Sequence, residues 1–494
     1  MARALTTIVW FSILFAGCAQ QYPSTEFSSS ETLIGKTLPE AIEATQPVLV
    51  AKDISIRLTL DAAIGRALHA NRGLIAAGDQ VDVSRLSIVI AQSQFELKFR
   101  PNATVGFGKH SSSGTNEQYG AGLTIEKRFE TGTAISITPR LDHVASGYQS
   151  GVDVSLTQPL LLGTDPEYNM SAVDSAEFSQ RSANRSLFLT RVNTVVSTVM
   201  LVYRVVHQKE LVALNTESVD RLNLLVAGTR AKEKIGLATS IDTLRAELQL
   251  RNALDNLVTA TESFGDALDD LRVQLSFSVD QQLEVDAPLV YNLMKIDENE
   301  AVSIALSSRV ELEQALDNFE ESQRRSRIAK HRTLPSLDLV FGYSQVGVNE
   351  NLLNNFGLDD HVWNVNLVTS TDFARTAEKA VYEQSLLGIR AARRSLELQQ
   401  DNIARQVKRD FRNLRRAEKR ISIQEGQIAD SKAQMRLAKV KFDHGLGNNF
   451  DLVEAESELR RAETKLLSAV VEYIVGSYRM RQSMGTLMQE SGGI

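Results

Sequence analysis

Ala63-Ile64-Gly65-Arg66-Ala67-Leu68-His69-Ala70-Asn71-Arg72-Gly73-Leu74 is written a second time, in altered form, as Ala301-Val302-Ser303-Ile304-Ala305-Leu306-Ser307-Ser308-Arg309-Val310-Glu311-Leu312. Each copy leads into a helical stretch, a Pro-bounded strand region, and a long Pro-free helical segment broken by one glycine turn. The turns also match. Ile235-Gly236-Leu237-Ala238-Thr239-Ser240-Ile241-Asp242 precedes Ala246-Glu247 and Leu250-Arg251, and His444-Gly445-Leu446-Gly447-Asn448-Asn449-Phe450-Asp451 precedes Ala455-Glu456 and Leu459-Arg460. The expected fold is therefore mainly α with a β region, a duplicated helix–hairpin–helix unit with repeats over 58–290 and 291–490.

Working outward, proline placement sets the element lengths. None occurs between Pro166 and Pro288, and none after Pro335. Proline inside a helix costs about 3 kcal/mol, so these gaps permit very long helices. Helical segments are expected over 169–276 and 375–488, with single rods on the order of 100 Å at 1.5 Å per residue. Leu254, Leu257, Thr261, Phe264, Leu268, Leu271 and Leu275 alternate spacings of three and four, the seam of a coiled coil. Leu386, Ile389, Arg393, Leu396 and Ile403, and later Leu452, Leu459, Leu466 and Val470, form the second such pattern. Rods of this length suit a tube or a fibre, and their seams are expected to close only against neighbouring subunits.

Strands are expected over 101–160 and 335–368. Val105 and Phe107, Leu123 and Ile125, Ile135 and Ile137, and Val152, Val154 and Leu156 alternate with small or polar residues. Leu337, Leu339, Phe341 and Tyr343, then Trp363, Val365 and Leu367, repeat the pattern. Such alternation fits a barrel wall between lipid and water, and equally a half-buried soluble sheet. The first copy carries an extra strand pair around Glu130-Thr131-Gly132, either in the wall or outside it.

The net charge of -7 gives no basic footprint, so nucleic acid is not an expected partner. A mean hydropathy of -0.16 excludes a helical membrane bundle, and no apolar run beyond the N-terminus is expected to span a bilayer as a helix. Residues 1–17 read as a secretory signal: Arg3, an apolar run from Ala4 to Phe15, then Ala16-Gly17. Cys18 is the only cysteine. Leu14-Phe15-Ala16-Gly17-Cys18 resembles a bacterial lipobox, which would make Cys18 the lipidated first residue of a tether over 18–57. Ordinary signal cleavage beside an incidental cysteine is the other reading. Ala19 after the cysteine points to the outer membrane.

Leu58-Thr59-Leu60-Asp61-Ala62-Ala63-Ile64, Ala67-Leu68 with Asn71, Gln158-Pro159-Leu160-Leu161, the two glycine turns and Ser483-Met484-Gly485-Thr486-Leu487 form an ordered set. Together they resemble the TolC-like outer-membrane efflux protein family over nearly all of the chain beyond the tether. The resemblance implies a homotrimer with one shared transmembrane β-barrel and one shared α-barrel extending into the periplasm of a Gram-negative bacterium. It implies a passive conduit for efflux or type I secretion. The partners would be a periplasmic membrane-fusion (adaptor) protein, an inner-membrane efflux pump or ABC transporter, and outer-membrane lipid.

Carried onto this sequence, the adaptor-binding tip falls on Ile235, Gly236, Leu237, Ala238 and Thr239 and on His444, Gly445, Leu446, Gly447 and Asn448. Glycine permits the reversal and an exposed Leu offers an apolar knob, although both leucines could instead pack internally. The periplasmic gate falls on Asp242, Asp451 and Glu454, where helix capping is the alternative role for the two aspartates. The family's tyrosine and arginine lock partners fall on Phe442 and Gly447, which cannot make those polar contacts, so the tip needs another latch. The second strand exit, Thr369-Ser370-Thr371-Asp372, also departs from Gln158-Pro159-Leu160-Leu161.

Catalytic chemistry is not expected. The seven histidines (69, 110, 143, 207, 331, 361 and 444) have no metal-ligand spacing, and no Walker loop, nucleophile elbow or zincin motif occurs. No cofactor or metal is implied. The rival to a conduit is a non-conducting, envelope-spanning coiled-coil scaffold lipoprotein.

Overall fold

A computed structural model describes residues 56–110, 114–144, 147–349, 360–444, 446–447 and 449–490. The expected signal, Cys18, the tether up to residue 55, Gly445 and Asn448 lie outside the described residues. In chain order the elements are β1 (Ile56–Thr59), α1 (Leu60–Ala70), α2 (Arg72–Gln92), β2 (Lys98–His110), β3 (Gly114–Arg128), β4 (Ala134–Val144) and β5 (Gly147–Pro159). A single turn at Pro166–Asn169 leads to α3 (Ser171–Lys234), α4 (Ser240–Gln274) and β6 (Leu283–Asp286). Then come α5 (Glu298–Ser308), α6 (Val310–His331), β7 (Asp338–Asn349), β8 (Asp360–Val368), α7 (Thr376–Asp443) and α8 (Asn449–Met484), closed by a turn at Leu487–Glu490.

The opening stretch and its copy become the helix pairs α1–α2 and α5–α6. Thr59 caps α1 through its side chain, and Asp297 caps α5. Asn71 and Arg309, at matching positions, are both extended and break the helix at the same place. The matched alanines Ala63 and Ala301, and Ala67 and Ala305, are all fully buried. Methyl-sized side chains there let α1 lie close to α3, and α5 close to α7. β1 and β6 join the starts of the two copies as a parallel pair.

α3 has 64 residues and α7 has 68. On α7 the positions facing the neighbours run Ile403, Val407, Asp410, Leu414, Ala417, Ile421, Gln424, Ile428, Ser431, Met435, Ala438 and Phe442, strictly alternating spacings of four and three. α8 answers with Leu452, Leu459, Leu466, Tyr473 and Met480, and with Ala455, Ala462, Ala469, Gly476 and Ser483 between them. Each series repeats every seven residues, the period that winds helices around one another.

The α4 seam differs from the expected one. Leu254 and Thr261 are exposed; the buried stripe is Thr243, Ala246, Ala253, Ala260, Ala267 and Leu271, with Leu250, Leu257 and Phe264 alongside. Alanine every seventh residue allows the backbones to approach; of the expected seam, Leu271 and Leu275 are fully buried, Leu257, Phe264 and Leu268 are half-buried, and Leu254 and Thr261 fall outside it. A second correction concerns the partners of the rods. Three hydrophobic clusters close within one chain, so the seams do not wait for neighbouring subunits. Side by side the rods run α4, α3, α8, α7, and toward the sheet α2, α3, α6, α7.

A third correction is that α3 is apolar and long enough, by composition, to cross a bilayer. Its valines instead form a core: Val195, Val199, Val202 and Val206 are buried with Ala63, Leu271 and Val285.

β2, β3, β4, β5, β7 and β8 form one six-stranded antiparallel sheet in that order. Pro101 lies inside β2 rather than at its boundary. Pro139, which has no N–H, sits where the β3–β4 ladder skips two residue pairs between Gly122↔Arg140 and Ile125↔Ile137. The registers align Phe99 with Ile125, Ile125 with Ile137, Ile137 with Val154, Val154 with Tyr343, and Tyr343 with Trp363. One face is thus apolar across every strand. The other carries Arg100 against Glu126 at 3.0 Å, Arg140 against Asp153 at 3.3 Å, and Ser344 donating to Asp153 at 2.6 Å.

Candidate functional site

The two helix reversals far from the sheet are the candidate partner site, and one backbone motif builds both. At the end of α3, Leu237 N–H donates to the Lys232 carbonyl at 2.8 Å and Gly236 N–H to Glu233 at 3.0 Å. At the end of α7, Leu446 N–H donates to the Lys441 carbonyl at 2.8 Å. The two leucine bonds are the six-to-one bonds of a Schellman ending, the Gly236 bond is its inner one, and Gly236 takes the left-handed φ of 75° that the motif requires. A leucine in that position ordinarily packs on the residue five earlier, which here is Lys232 or Lys441. Leu237 is 73% exposed and Leu446 81% exposed, so neither packs internally. Ile235, Ile241, Leu244 and Phe450 extend the exposed apolar surface around them.

The reversals are tied to each other. Asn449 Nδ2 donates to the Asp242 carbonyl at 2.7 Å. Lys232 Nζ donates to the Phe442 carbonyl and lies 3.6 Å from the centre of the Phe442 ring, a cation–π contact. Phe442, whose side chain cannot make a polar lock, therefore has an intrachain partner of a different kind. Beneath the tip, Ala246, Ala438, Phe442, Leu452 and Ala455 form a small core.

The three acidic residues divide. Asp242 forms a capping box: its carboxylate accepts from Thr239 N–H at 3.1 Å and Thr239 Oγ1 at 2.7 Å, while Thr239 Oγ1 accepts from Asp242 N–H. The Thr239 hydrogen bonds hold its carboxyl below the ordinary range. Glu233 is likewise held low, first by Thr243, which donates at 2.6 Å, and then by Ser240. Asp451 lies in the first turn of α8, where the helix dipole favours a carboxylate. Asp451 and Glu454 are both exposed. Within one chain, capping is the role the geometry gives Asp242.

Sequence reading missed Lys232, Asn449 and the Arg230–Glu247 pair that braces α3 against α4. Each acts across segments separated in sequence or across the turn, and no local motif marks such a contact. It also missed the charged joint below the sheet. There Glu321 binds Arg324 at 2.7 Å and Arg325 at 2.8 Å, and Arg327 pairs with Glu167. Burial pushes the Glu321 carboxyl up, and the hydrogen bonds from Arg324 and Arg325 outweigh it, leaving a net lowering. Among the described residues no group of His, Cys, Asp and Glu could hold a metal ion.

Comparison with known proteins agrees with this architecture. The outer membrane efflux protein family matches residues 301–486. Outer membrane protein TolC of Vibrio cholerae is 21% identical over 330 residues, covering 65% of this chain and 74% of the relative. Among solved structures, the outer membrane protein VceC of Vibrio cholerae superimposes with a TM-score of 0.69 at 13% identity, over 86% of this chain and 96% of that one. The Campylobacter jejuni CmeC outer membrane channel gives 0.68 at 14% identity, over 87% and 86%. The open Neisseria gonorrhoeae MtrE outer membrane channel gives 0.65 at 17%, over 86% and 88%. At these identities the structures speak to the fold alone, and the sequence matches show a resemblance to outer membrane efflux proteins, with the family match confined to residues 301–486.

Proposed function

We propose that three copies of this chain form a passive outer-membrane duct in a tripartite efflux or type I secretion system. The sheets would close one barrel in the outer membrane and the rods one tube reaching into the periplasm. The tip leucines would dock a periplasmic adaptor, which joins the duct to an inner-membrane pump or ABC transporter. Lipidation of Cys18 would add an anchor at the same membrane.

One observation carries this reading. The six-stranded sheet has an apolar row that crosses every strand on one face and charged pairs on the opposite face, and it continues into rods on the order of 100 Å long. A non-conducting scaffold has no use for charged pairs on the face that a barrel would enclose. The two borders of the chain support closure with further copies. On one border α2 exposes Val83, Leu86 and Ile90, and α4 exposes Ile241, Leu244 and Leu248; on the other, α7 exposes Ile423, Leu437 and Val440.

Two measurements test the proposal. Purified protein in planar bilayers is expected to conduct with cation preference, and Asp451→Asn with Glu454→Gln to weaken that preference. A silent bilayer would favour the scaffold. Leu237→Asp with Leu446→Asp is expected to leave the oligomer intact and reduce adaptor capture at least tenfold, since a central apolar anchor is commonly worth about 2 kcal/mol. Undiminished capture would move the docking site elsewhere.

A further inference from the structure

Among the described residues the duplication is unequal in the sheet: the first copy supplies β2, β3, β4 and β5, and the second β7 and β8. We infer that the edge pair β2–β3 is part of the membrane wall, so that three copies close a barrel of eighteen strands rather than twelve, joined where β2 of one copy pairs with β8 of the next. This rests on the ring-forming reading above.

Three observations place the pair in the wall. First, its register continues the lipid-type face: Phe99 and Val105 on β2 are 60% and 73% exposed and align with Ile125 and Tyr119 on β3, and Phe107, on the same face of β2, is 76% exposed. A hairpin standing off in water would have no reason to keep that face. Second, the β3–β4 turn is pinned to the joint with the rods. Asn169 Nδ2 donates both to the Glu130 carbonyl at 2.8 Å and to the Gly163 carbonyl at 2.7 Å. Gly132, at φ 82°, packs so closely that a Cβ would meet the Gly163 carbonyl oxygen at 2.2 Å. Lys127 Nζ reaches the Phe95 carbonyl as well. Strand β3 is therefore held in the sheet plane at its base.

Third, the widths agree. With strands about 4.8 Å apart and tilted near 40°, each takes about 6 Å of wall, so the sheet spans about 38 Å. The four helices beneath, at about 9 Å each, span about 36 Å. Three six-stranded units give a circumference near 110 Å and a backbone diameter of about 35 Å, in the range of barrels that hold an aqueous channel.

The junction is also chemically sound. Strand direction alternates across the sheet, so β8 and the next copy's β2 meet antiparallel, and the two exposed rows of backbone N–H and C=O groups satisfy one another. The occupant of each sheet edge is accordingly a second copy of this chain, and the product is a wide outer mouth suited to bulky cargo such as polymer segments.

Cryo-electron microscopy of the unmodified full chain in lipid nanodiscs tests this directly, with an eighteen-stranded wall expected. Disulfide trapping gives an independent readout. Pairs joining Asn102→Cys or Thr104→Cys on β2 with Asn364→Cys or Asn366→Cys on β8 are expected to yield covalent trimers on oxidation. A twelve-stranded ring, with trimers trapped instead by Thr138→Cys on β4 and Asn364→Cys, would overturn the inference and leave the conduit standing. Absence of any ring would overturn both.

Discussion

At the residue scale, the tip shows how a motif shared by two turns creates an exposed surface. Leu237 and Leu446 end up outside because the residues they would cover are lysines, and Lys232 is engaged with Phe442. Thr239 and Asp242 fix the second helix of the first reversal, and Thr239→Ala is expected to cost about 1 kcal/mol, read as faster hydrogen exchange over 239–246. If Asp242 acts mainly as a cap, Asp242→Asn will loosen the same amides and leave ion selectivity unaltered. Asp410 gives a pH test. Burial raises its carboxyl above the ordinary range against the lowering influence of Arg409, Arg479, Ser483 and Arg309. A carboxyl raised on folding weakens the fold once ionised, and the penalty disappears as pH falls through the raised value. Asp410→Asn is therefore expected to raise Tm by about 1–3 °C at pH 7 and to give no gain below about pH 4. A Tm gain that persists in acid would refute the burial argument.

At the element scale, the sequence was most legible where local chemistry dictates form. Proline gaps marked the rods, glycine marked the reversals, and two-residue alternation marked the strands. The seam of α4 was legible only in part: Leu271 and Leu275 are buried as their spacing expects, but large residues advertise hydrophobicity and hide the contacts made by Ala246, Ala253, Ala260 and Ala267. Pairings such as Lys232 with Phe442 depend on how four rods lie together, and the spacing along one rod does not encode that. The alanine stripe makes its own prediction. Ala253→Leu forces three extra heavy atoms between close backbones at one layer, and overpacking of that kind costs about 1–3 kcal/mol. The expected result is a lower Tm with helix content by circular dichroism unchanged; an unchanged Tm would mean the layer is loosely packed.

At the scale of the whole molecule, the chain satisfies most of its apolar surface internally and leaves apolar stripes at its borders. Leu248 on α4 is 60% exposed and Leu437 on α7 is 56% exposed. Leu248→Glu with Leu437→Glu is expected to shift detergent-solubilised particles toward single-chain mass in light scattering while the far-ultraviolet spectrum stays helical. Retention of the full particle mass would show that these borders do not meet. An even number of strands per copy has one more consequence. Any number of copies, two or five as readily as three, could be joined edge to edge without two strands ever running the same way at a junction. The sheet cannot count. Stoichiometry must therefore be set by the angle at which neighbouring rods meet, and variants that alter that angle should change the number of copies before they unravel the wall.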